Sequence, residues 1–179
     1  MALPAKYQWL EGVEGLPKVV TEGLALIGIS EIIGPNHNTV IMGWARALGL
    51  EKIYTNDELA WCGLFHAWVL TRASKHIPLK GFDLLRALKY QAFGVPVNQA
   101  MLGDTLIFKR EGGGHVGTYI AESDTTYHVL GGNQGNTVSI IEIEKKRLVA
   151  ARRPVYQTQP AGVKKFFLSS TGNVSTNEA

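Results

Sequence analysis

Apolar side chains recur at helical spacing through the first half of the chain. The second predicted helix is the clearest example, because Asn38 has the residue type of an N-cap, apolar positions follow from Val40 to Leu48, and Gly49 can end the helix. The pattern predicts four helices in this half, over residues 19–33, 38–48, 61–73 and 82–93.

The spacing of apolar residues changes after Gly103, where short segments rich in β-branched and aromatic residues are separated by turn residues. These segments predict strands over residues 104–109, 115–121, 126–130 and 137–143. Helices followed by strands indicate the α+β class, with N-terminal helices packed on a C-terminal antiparallel sheet. A single domain over residues 1–156 contains these elements, and the polar remainder, 157–179, is predicted to be a flexible tail.

Composition narrows the class of protein. The 179-residue chain is 45% hydrophobic and 18% charged, which is typical of a globular protein that buries a core. No apolar run approaches the ~20 residues of a membrane span, so no membrane insertion is expected. The net charge of +3 comes from dispersed Lys and Arg residues, and the short basic groups at 145–147 and 152–153 are interpreted as solvated turns and strand ends rather than a nucleic-acid interface.

Cys62 is the single cysteine of the chain, so the fold cannot depend on an intrachain disulfide. A free cysteine with apolar neighbours on its helical face is most often a core residue. At a helix N-terminus it is instead a good nucleophile, because the helix dipole favours the thiolate. The sequence leaves the helix start open: the polar residues 56–58 favour a start at Cys62, whereas Thr55 and Glu58 fit a capping box that begins the helix earlier.

His115 is the candidate base for such a nucleophile. Glycines at 112–114 and at 117 surround it, which would leave the imidazole ring uncovered and let a peptide backbone approach. An ordinary surface histidine is the alternative. A Cys–His pair is what a cysteine hydrolase needs, because the histidine takes the thiol proton and later protonates the leaving amine.

A catalytic histidine also needs a polar partner that fixes its tautomer. Asn133, Gln134 and His128 are the candidates, because they lie in or just after a later strand. The choice stays open, since it depends on which strand face meets the helix. A Gly-Gly-Asn stretch is also typical of a simple turn.

A zinc site is the alternative interpretation of the same residues. Cys62 and His66 share a helical face, and His115 and His128 would complete a tetrahedral set. Such a pair on an apolar face is more typical of a core, and no HExxH pattern occurs, so neither a metal nor another cofactor is predicted. Trp61 is the tryptophan expected near a site, because it directly precedes the cysteine.

Taken together, the motifs resemble those of phage-associated cell-wall hydrolases related to the NlpC/P60 and CHAP peptidases, which have a papain-like fold. The resemblance covers residues 27–154. It rests on several motifs in order, namely Glu31, His37-Asn38, Asp57-Glu58, Trp61-Cys62, Gly103-Asp104, Gly114-His115-Val116-Gly117, Leu130-Gly131-Gly132-Asn133-Gln134 before Val138, and Arg153-Pro154.

The resemblance implies that Cys62 attacks an amide carbonyl of peptidoglycan and that His115 is the general base and acid. Asn133 best matches the residue that orients the histidine in CHAP peptidases. The third catalytic residue of the NlpC/P60 type is usually a histidine, which keeps His128 as a candidate. Gly131-Gly132 stands where CHAP peptidases have an acid. Glu31 is a further candidate for lining the cleft, with a solvated helix position as its alternative.

The predicted function is therefore a cysteine amidohydrolase of bacterial peptidoglycan, of the endolysin or virion-associated type. A secreted antibacterial amidase and a non-enzymatic wall-binding or tail-structural protein are the alternatives. The first seven residues have no basic start followed by an apolar core, so synthesis in a host cytoplasm without a signal peptide is expected, with action on the cell wall. A holin, a phage tail or an immunity protein would be the partner, and the protein is expected to be a monomer.

Overall fold

The computed structural model describes residues 3–178, so part of the N-terminal stretch considered for a secretory signal lies outside the described residues. The helices are α1 (Lys18–Leu24), α2 (Thr39–Ala47) and α3 (Cys62–Arg72), and 3₁₀ helices occur at Ala5–Gly12, Gly81–Leu85, Ala87–Ala92 and Lys145–Arg147. The strands are β1 (Val95–Pro96), β2 (Thr105–Arg110), β3 (Gly113–Glu122), β4 (Thr126–Gly131), β5 (Ser139–Glu144), β6 (Leu148–Arg153) and β7 (Val174–Ser175). Within residues 3–178, no helix combines the length and the apolar character that crossing a membrane requires.

The strands form one sheet in the order β1-β6-β2-β3-β4-β5-β7. Neighbouring strands are antiparallel except for β5 and β7, which run parallel. The helices α1 to α3 precede the sheet along the chain and share its main hydrophobic core. The predicted α+β class, with N-terminal helices and a C-terminal, mostly antiparallel sheet, is confirmed.

Helix α3 is the centre of this core. Its side chains Leu64 and Phe65 are fully buried, and they belong to the same cluster as Ile120 and Leu130 of the sheet. A second apolar cluster contains other residues of the same strands, such as Tyr119 and Val129, because successive side chains of a strand point to opposite faces. Burial of α3 against the sheet fixes the position of its first residue.

The first helix is shorter than predicted. α1 ends at Leu24, and Gly28, with a φ of 86°, donates its backbone N–H to Val138 O at 2.9 Å. Ser30 then pairs with Thr137 as an isolated bridge. Glu31 therefore lies in a loop beside the sheet, and its prediction as a helical residue is wrong.

The helix predicted over residues 82–93 is replaced by two 3₁₀ helices. Arg86 lies between them in an extended conformation, with φ −97° and ψ 105°. The hydroxyl of Tyr90 donates to Leu84 O at 3.0 Å and to Gly63 O at 2.9 Å. Tertiary hydrogen bonds thus use a carbonyl that an α-helix would have needed, and they tie this segment to α3.

The segment after residue 157 packs against the sheet, which differs from the flexible tail that its composition predicts. Lys164 O accepts from the backbone of Leu102 and Phe166 O accepts from Glu122, both at 2.9 Å. Further along, β7 pairs with β5, and Glu178 is buried. The tail therefore belongs to the same folded unit as the rest of the chain.

Two arginines of the basic groups are structural. Both Nε and Nη2 of Arg153 donate to the carboxylate of Asp104, at 2.9 and 2.8 Å. Arg147 pairs with Glu178 through two hydrogen bonds of 2.7 Å. The interpretation of these two side chains as simply solvated is wrong. The basic group at 152–153 lies in a strand, β6, that the sequence pattern did not predict.

Glu142 joins the tail and the N-terminal segment to β5. Its carboxylate accepts from Lys6 Nζ at 3.0 Å and from the backbone N–H of Thr171 at 2.9 Å, and it also bonds Ser170. Burial alone would raise the pKa of Glu142, but these hydrogen bonds outweigh burial and lower the pKa to about 2.

Replacement of Glu142 with Gln is expected to lower the free energy of unfolding at pH 7 by about 1–3 kcal/mol, because a buried amide cannot accept all of these hydrogen bonds. The contribution of the carboxylate is present above the ordinary pKa of 4.5 and is lost as the pH falls towards 2. Urea unfolding should therefore show a smaller difference in the free energy of unfolding between the wild type and Glu142→Gln at pH 3 than at pH 7. Glu144→Gln, in the surface pair with Lys146, is the control, and equal effects of both variants at pH 7 would contradict the assignment.

Candidate active site

Cys62 is the first residue of α3. Trp61 occupies the N-cap position, and its carbonyl accepts from the N–H of Phe65 at 2.9 Å. The capping-box alternative is wrong: Glu58 instead accepts from the backbone N–H of Gly34 at 2.9 Å, and residues 55–60 form a loop. The thiol consequently lies at the positive end of the helix dipole.

Asp57 holds the loop that precedes the cysteine. Its buried carboxylate accepts from the backbone N–H groups of Asn38 at 2.7 Å and Ile32 at 3.0 Å, and it bonds His37 Nδ1 at 3.0 Å. Burial alone would raise the pKa of Asp57, but these hydrogen bonds outweigh it and lower the pKa. The motif residues around 31–38 and 57 therefore serve to fix the entry to α3.

The Cys62 thiol is largely buried but borders an open cleft. The residue is 4% exposed and lines a cleft of about 510 Å³, whose other walls include the glycines 112–114 and Leu88. Burial raises the pKa of the thiol, whereas the backbone N–H groups of Val116 and Gly63 and the charge of Arg110 act in the opposite direction. Since Val116 directly follows His115, the strand that holds the histidine runs against the sulfur.

His115 is oriented by Gln134. The ring Nε2 lies 3.0 Å from Gln134 Oε1. The orientation of the amide is fixed because Gln134 Nε2 donates to the carbonyls of Ser139 at 2.6 Å and Val129 at 3.3 Å. The oxygen therefore faces the ring, His115 Nε2 carries the proton, and Nδ1 is the nitrogen left for proton transfer.

His115 is held in its neutral form. Burial lowers the pKa of His115 to about 4, although Glu178 and the bond to Gln134 act in the opposite direction. Arg110 and Arg147 lower it further. A neutral imidazole with a free lone pair at pH 7 is the form that a general base requires.

Gly131 makes the bond between His115 and Gln134 feasible. A Cβ added at Gly131 would lie 2.6 Å from Gln134 Oε1 and 3.1 Å from His115 Nε2. A Cβ at Gly132 would meet Trp61 and Phe65 at 2.6 Å. An acidic side chain of the CHAP type has no room at either position, and the glutamine reaches the ring instead.

Two candidates for the third residue lie elsewhere. Asn133 has a φ of 56° and belongs to the turn, and within the described residues His115 bonds Gln134 and not Asn133. His128 bonds Tyr7 Oη through Nδ1 at 2.8 Å and Leu168 O through Nε2 at 3.3 Å. The expectation that Asn133 orients His115 is therefore not met, and Gln134, the third candidate, has this position.

Trp61 and Glu31 form a pair beside the cysteine. Trp61 is fully buried, and its indole N–H donates to Glu31 Oε2 at 2.9 Å. Neither residue is among those that line the cleft. Their contact links the loop at residue 31 to the N-cap of α3, so both support the position of Cys62.

The residues considered as zinc ligands are not gathered into one site. His66 Nε2 bonds Thr105 Oγ1 at 2.8 Å, and His128 lies with Tyr7. Within residues 3–178, no group of three or more His, Cys, Asp or Glu side chains is arranged to hold a metal ion.

Three charged residues near the site were missed by the sequence analysis. Arg110 lines the cleft, and Arg147 and Glu178 form a buried ion pair whose charges act on His115. Arg110 lies two residues before the first of the glycines at 112–114, which was a usable signal. No comparable signal exists for Glu178, because its role depends on tertiary packing of the tail.

In an assay of the hydrolase activity that the sequence predicts, Gln134→Ala is expected to reduce the rate constant about 10- to 100-fold, because the imidazole loses the group that fixes its tautomer and stabilises its protonated form. Asn133→Gly is the matched control: it keeps the positive φ of the turn and should change the rate less than threefold, as a glycine adopts that conformation freely. Steady-state kinetics on a soluble muropeptide, the substrate class that the resemblance implies, would measure both. A larger loss for Asn133→Gly than for Gln134→Ala would reverse the assignment.

A scan against protein-family models and a search of curated proteins found no match to this chain.

Proposed function

We propose that this protein is a cysteine amidohydrolase that cleaves amide bonds in bacterial peptidoglycan, with Cys62 as nucleophile and His115 as general base and acid. One observation carries the proposal. His115 lies on β3 and is bonded to Gln134. The next residue of β3, Val116, directs its backbone N–H at the Cys62 sulfur, and this sulfur borders an open cleft.

The proposed attack begins from two neutral groups. Burial favours the thiol form of Cys62 and the neutral form of His115. As the sulfur bonds to the substrate carbonyl carbon, the thiol proton passes to Nδ1 of His115. The resulting imidazolium is stabilised by its Nε2–H bond to Gln134, so charge develops only when the substrate is present.

The remaining steps use the same groups in reverse. The carbonyl oxygen becomes an oxyanion at the N-terminus of α3, where the backbone N–H of Cys62 is the donor that the resemblance implies. Protonated His115 gives its proton to the leaving amine as the carbon–nitrogen bond breaks, which leaves a thioester on Cys62. Water, deprotonated by His115, then attacks the thioester and releases the carboxylic acid and the free thiol.

The substrate class rests on the resemblance to cell-wall hydrolases and on the form of the cleft. The wall at residues 112–114 has no side chains, so an extended peptide backbone can approach closely. The cleft is open to solvent, as a polymeric substrate requires. Amide bonds of peptidoglycan stem peptides or cross-bridges fit this description.

The test is digestion of purified sacculi with the full chain, followed by turbidity and by mass spectrometry of the released fragments. We expect fragments with one new amine and one new carboxyl group, a rate that survives chelation, and a rate that iodoacetamide abolishes. Intact sacculi, or fragments that arise only by cleavage of the glycan, would refute the proposal.

A further inference from the structure

The cleft beside Cys62 is lined by three cationic side chains, Arg86, Lys89 and Arg110. The other residues that line it are apolar or glycine, and none of them carries a carboxylate. An uneven charge of this kind in a confined cleft raises the local concentration of an anionic ligand. The chain as a whole carries a net charge of only +3, so the excess is local to this cleft.

Arg110 is held at one wall by neutral partners. Its Nε donates to Gly114 O at 3.3 Å and its Nη1 donates to Asn177 Oδ1 at 2.8 Å. Within residues 3–178, Arg110 is in no ion pair, in contrast to Arg147 and Arg153. Hydrogen bonds therefore orient the guanidinium, no carboxylate of residues 3–178 pairs with it, and Nη2 has hydrogen atoms to offer a ligand.

Arg86 also lines the cleft and lies between the two 3₁₀ helices. Its guanidinium lies 5.9 Å from the centre of the Phe82 ring, and in the described part of the chain it has no ion pair. Lys89 differs, since its Nζ lies 3.8 Å from Asp83. As far as residues 3–178 are concerned, the two arginines are consequently the cations of the cleft that have no acidic partner.

We infer that the cleft binds a substrate carboxylate close to the scissile amide, with Arg110 and Arg86 as the groups that pair with it. This inference rests on the proposed hydrolase function. A guanidinium binds a carboxylate through two parallel hydrogen bonds, which gives orientation as well as affinity. The carboxylate would set the register of the substrate so that the amide carbonyl meets the sulfur of Cys62. Leu88 and Ala87 provide an apolar surface for the aliphatic part of the same substrate residue.

The experiment compares two synthetic muropeptides, one with free stem-peptide carboxyl groups and one with these groups converted to carboxamides. Steady-state kinetics would be measured for the wild type, Arg110→Gln, Arg86→Gln and, as a control with the same change of charge, Arg46→Gln. Arg46 is an exposed residue of α2 that does not line the cleft.

We expect the wild type to favour the free carboxyl form by about 10- to 100-fold in kcat/KM, as charge-assisted hydrogen bonds imply. Arg110→Gln and Arg86→Gln should reduce this ratio towards one, mainly by raising KM for the acidic substrate. Arg46→Gln should leave it unchanged. A ratio near one in the wild type, or a ratio that both cleft variants preserve, would overturn the inference. An equal fall in kcat for both substrates would also overturn it, because Arg110 would then act on the thiol.

A failure of the hydrolase proposal would be visible separately. If the wild type cleaves neither muropeptide, binding of both to the wild type and to Arg110→Gln would be measured by calorimetry. If the wild type binds the acidic muropeptide more tightly and Arg110→Gln loses this preference, the carboxylate site stands and only the hydrolysis is refuted. The absence of such a preference would overturn the site as well.

Discussion

Replacing Cys62 with Ala is expected to reduce peptidoglycan hydrolysis by about 10⁴-fold or more, to the background of the assay. The thiol is the proposed nucleophile, and the chain has no second cysteine to replace it. The free energy of unfolding should change by about 1 kcal/mol at most, because the variant removes one atom at the wall of an open cleft. Initial rates on sacculi and urea unfolding measure the two effects.

Cys62→Ser is the matched variant for this prediction. It keeps the size of the side chain and the start of α3, but a hydroxyl beside a single histidine is a much weaker nucleophile than a thiol. We expect it to be as inactive as Cys62→Ala while binding muropeptides normally. Activity near that of the wild type in either variant would show that the nucleophile lies elsewhere.

Replacing His115 with Ala is expected to reduce the rate about 10²- to 10⁴-fold, the usual contribution of a general acid–base group. His128→Ala is the control, because His128 is also buried in the sheet but bonds Tyr7. It should lower the stability and leave the rate constant of the folded enzyme unchanged. Kinetics measured below the melting temperature of both variants separate a loss of rate from a loss of stability. A loss of rate in His128→Ala but not in His115→Ala would contradict the assignment of the base.

The pH profile carries a second signature of His115. Because its pKa is lowered to about 4, the neutral base persists well below the ordinary histidine range, and kcat/KM should decline on the acid side near pH 4 instead of pH 6.5. In Gln134→Ala the imidazolium loses a hydrogen bond that raises the pKa of His115. The pH at which kcat/KM declines on the acid side should therefore not rise in this variant. An acid limb near 6.5 in the wild type would contradict the description of His115 as a buried neutral base.

The sequence predicts the elements that position the nucleophile and the base, and the reason is local. The apolar stripe of 61–73 and the N-cap at Asn38 identify α3 and α2, and short segments rich in β-branched and aromatic residues identify β2 to β5. The turn residues between the last two predicted strands, after residue 130, join β4 and β5. The location of Cys62 at a helix start, which the sequence left open, is decided by tertiary bonds to Asp57 and Glu58.

The third residue could not be chosen from the sequence. Asn133 and Gln134 are neighbours, and which of them faces His115 depends on one backbone angle, the positive φ of Asn133. That angle turns the asparagine into the loop, and the missing Cβ of Gly131 gives the glutamine its path to the ring. Neither condition is visible as a pattern along the chain.

The tail and the 3₁₀ pair were missed for a different physical reason. Both are held by long-range contacts, such as Leu102 with Lys164 and Tyr90 with Gly63, and not by intrinsic propensity. A polar composition is typical of flexible segments, but it does not exclude a segment whose backbone bonds an existing sheet. Sequence periodicity cannot report such contacts.

The ion pair of Arg147 with Glu178 has a consequence for biosynthesis. Chains are synthesised from the N-terminus, so Cys62, His115 and Gln134 are all translated before Glu178. Until then the guanidinium of Arg147 has no counter-charge, and its field acts on the imidazole unopposed. A nascent chain therefore acquires the final electrostatic environment of its imidazole only after the nucleophile, the base and the glutamine have all been synthesised.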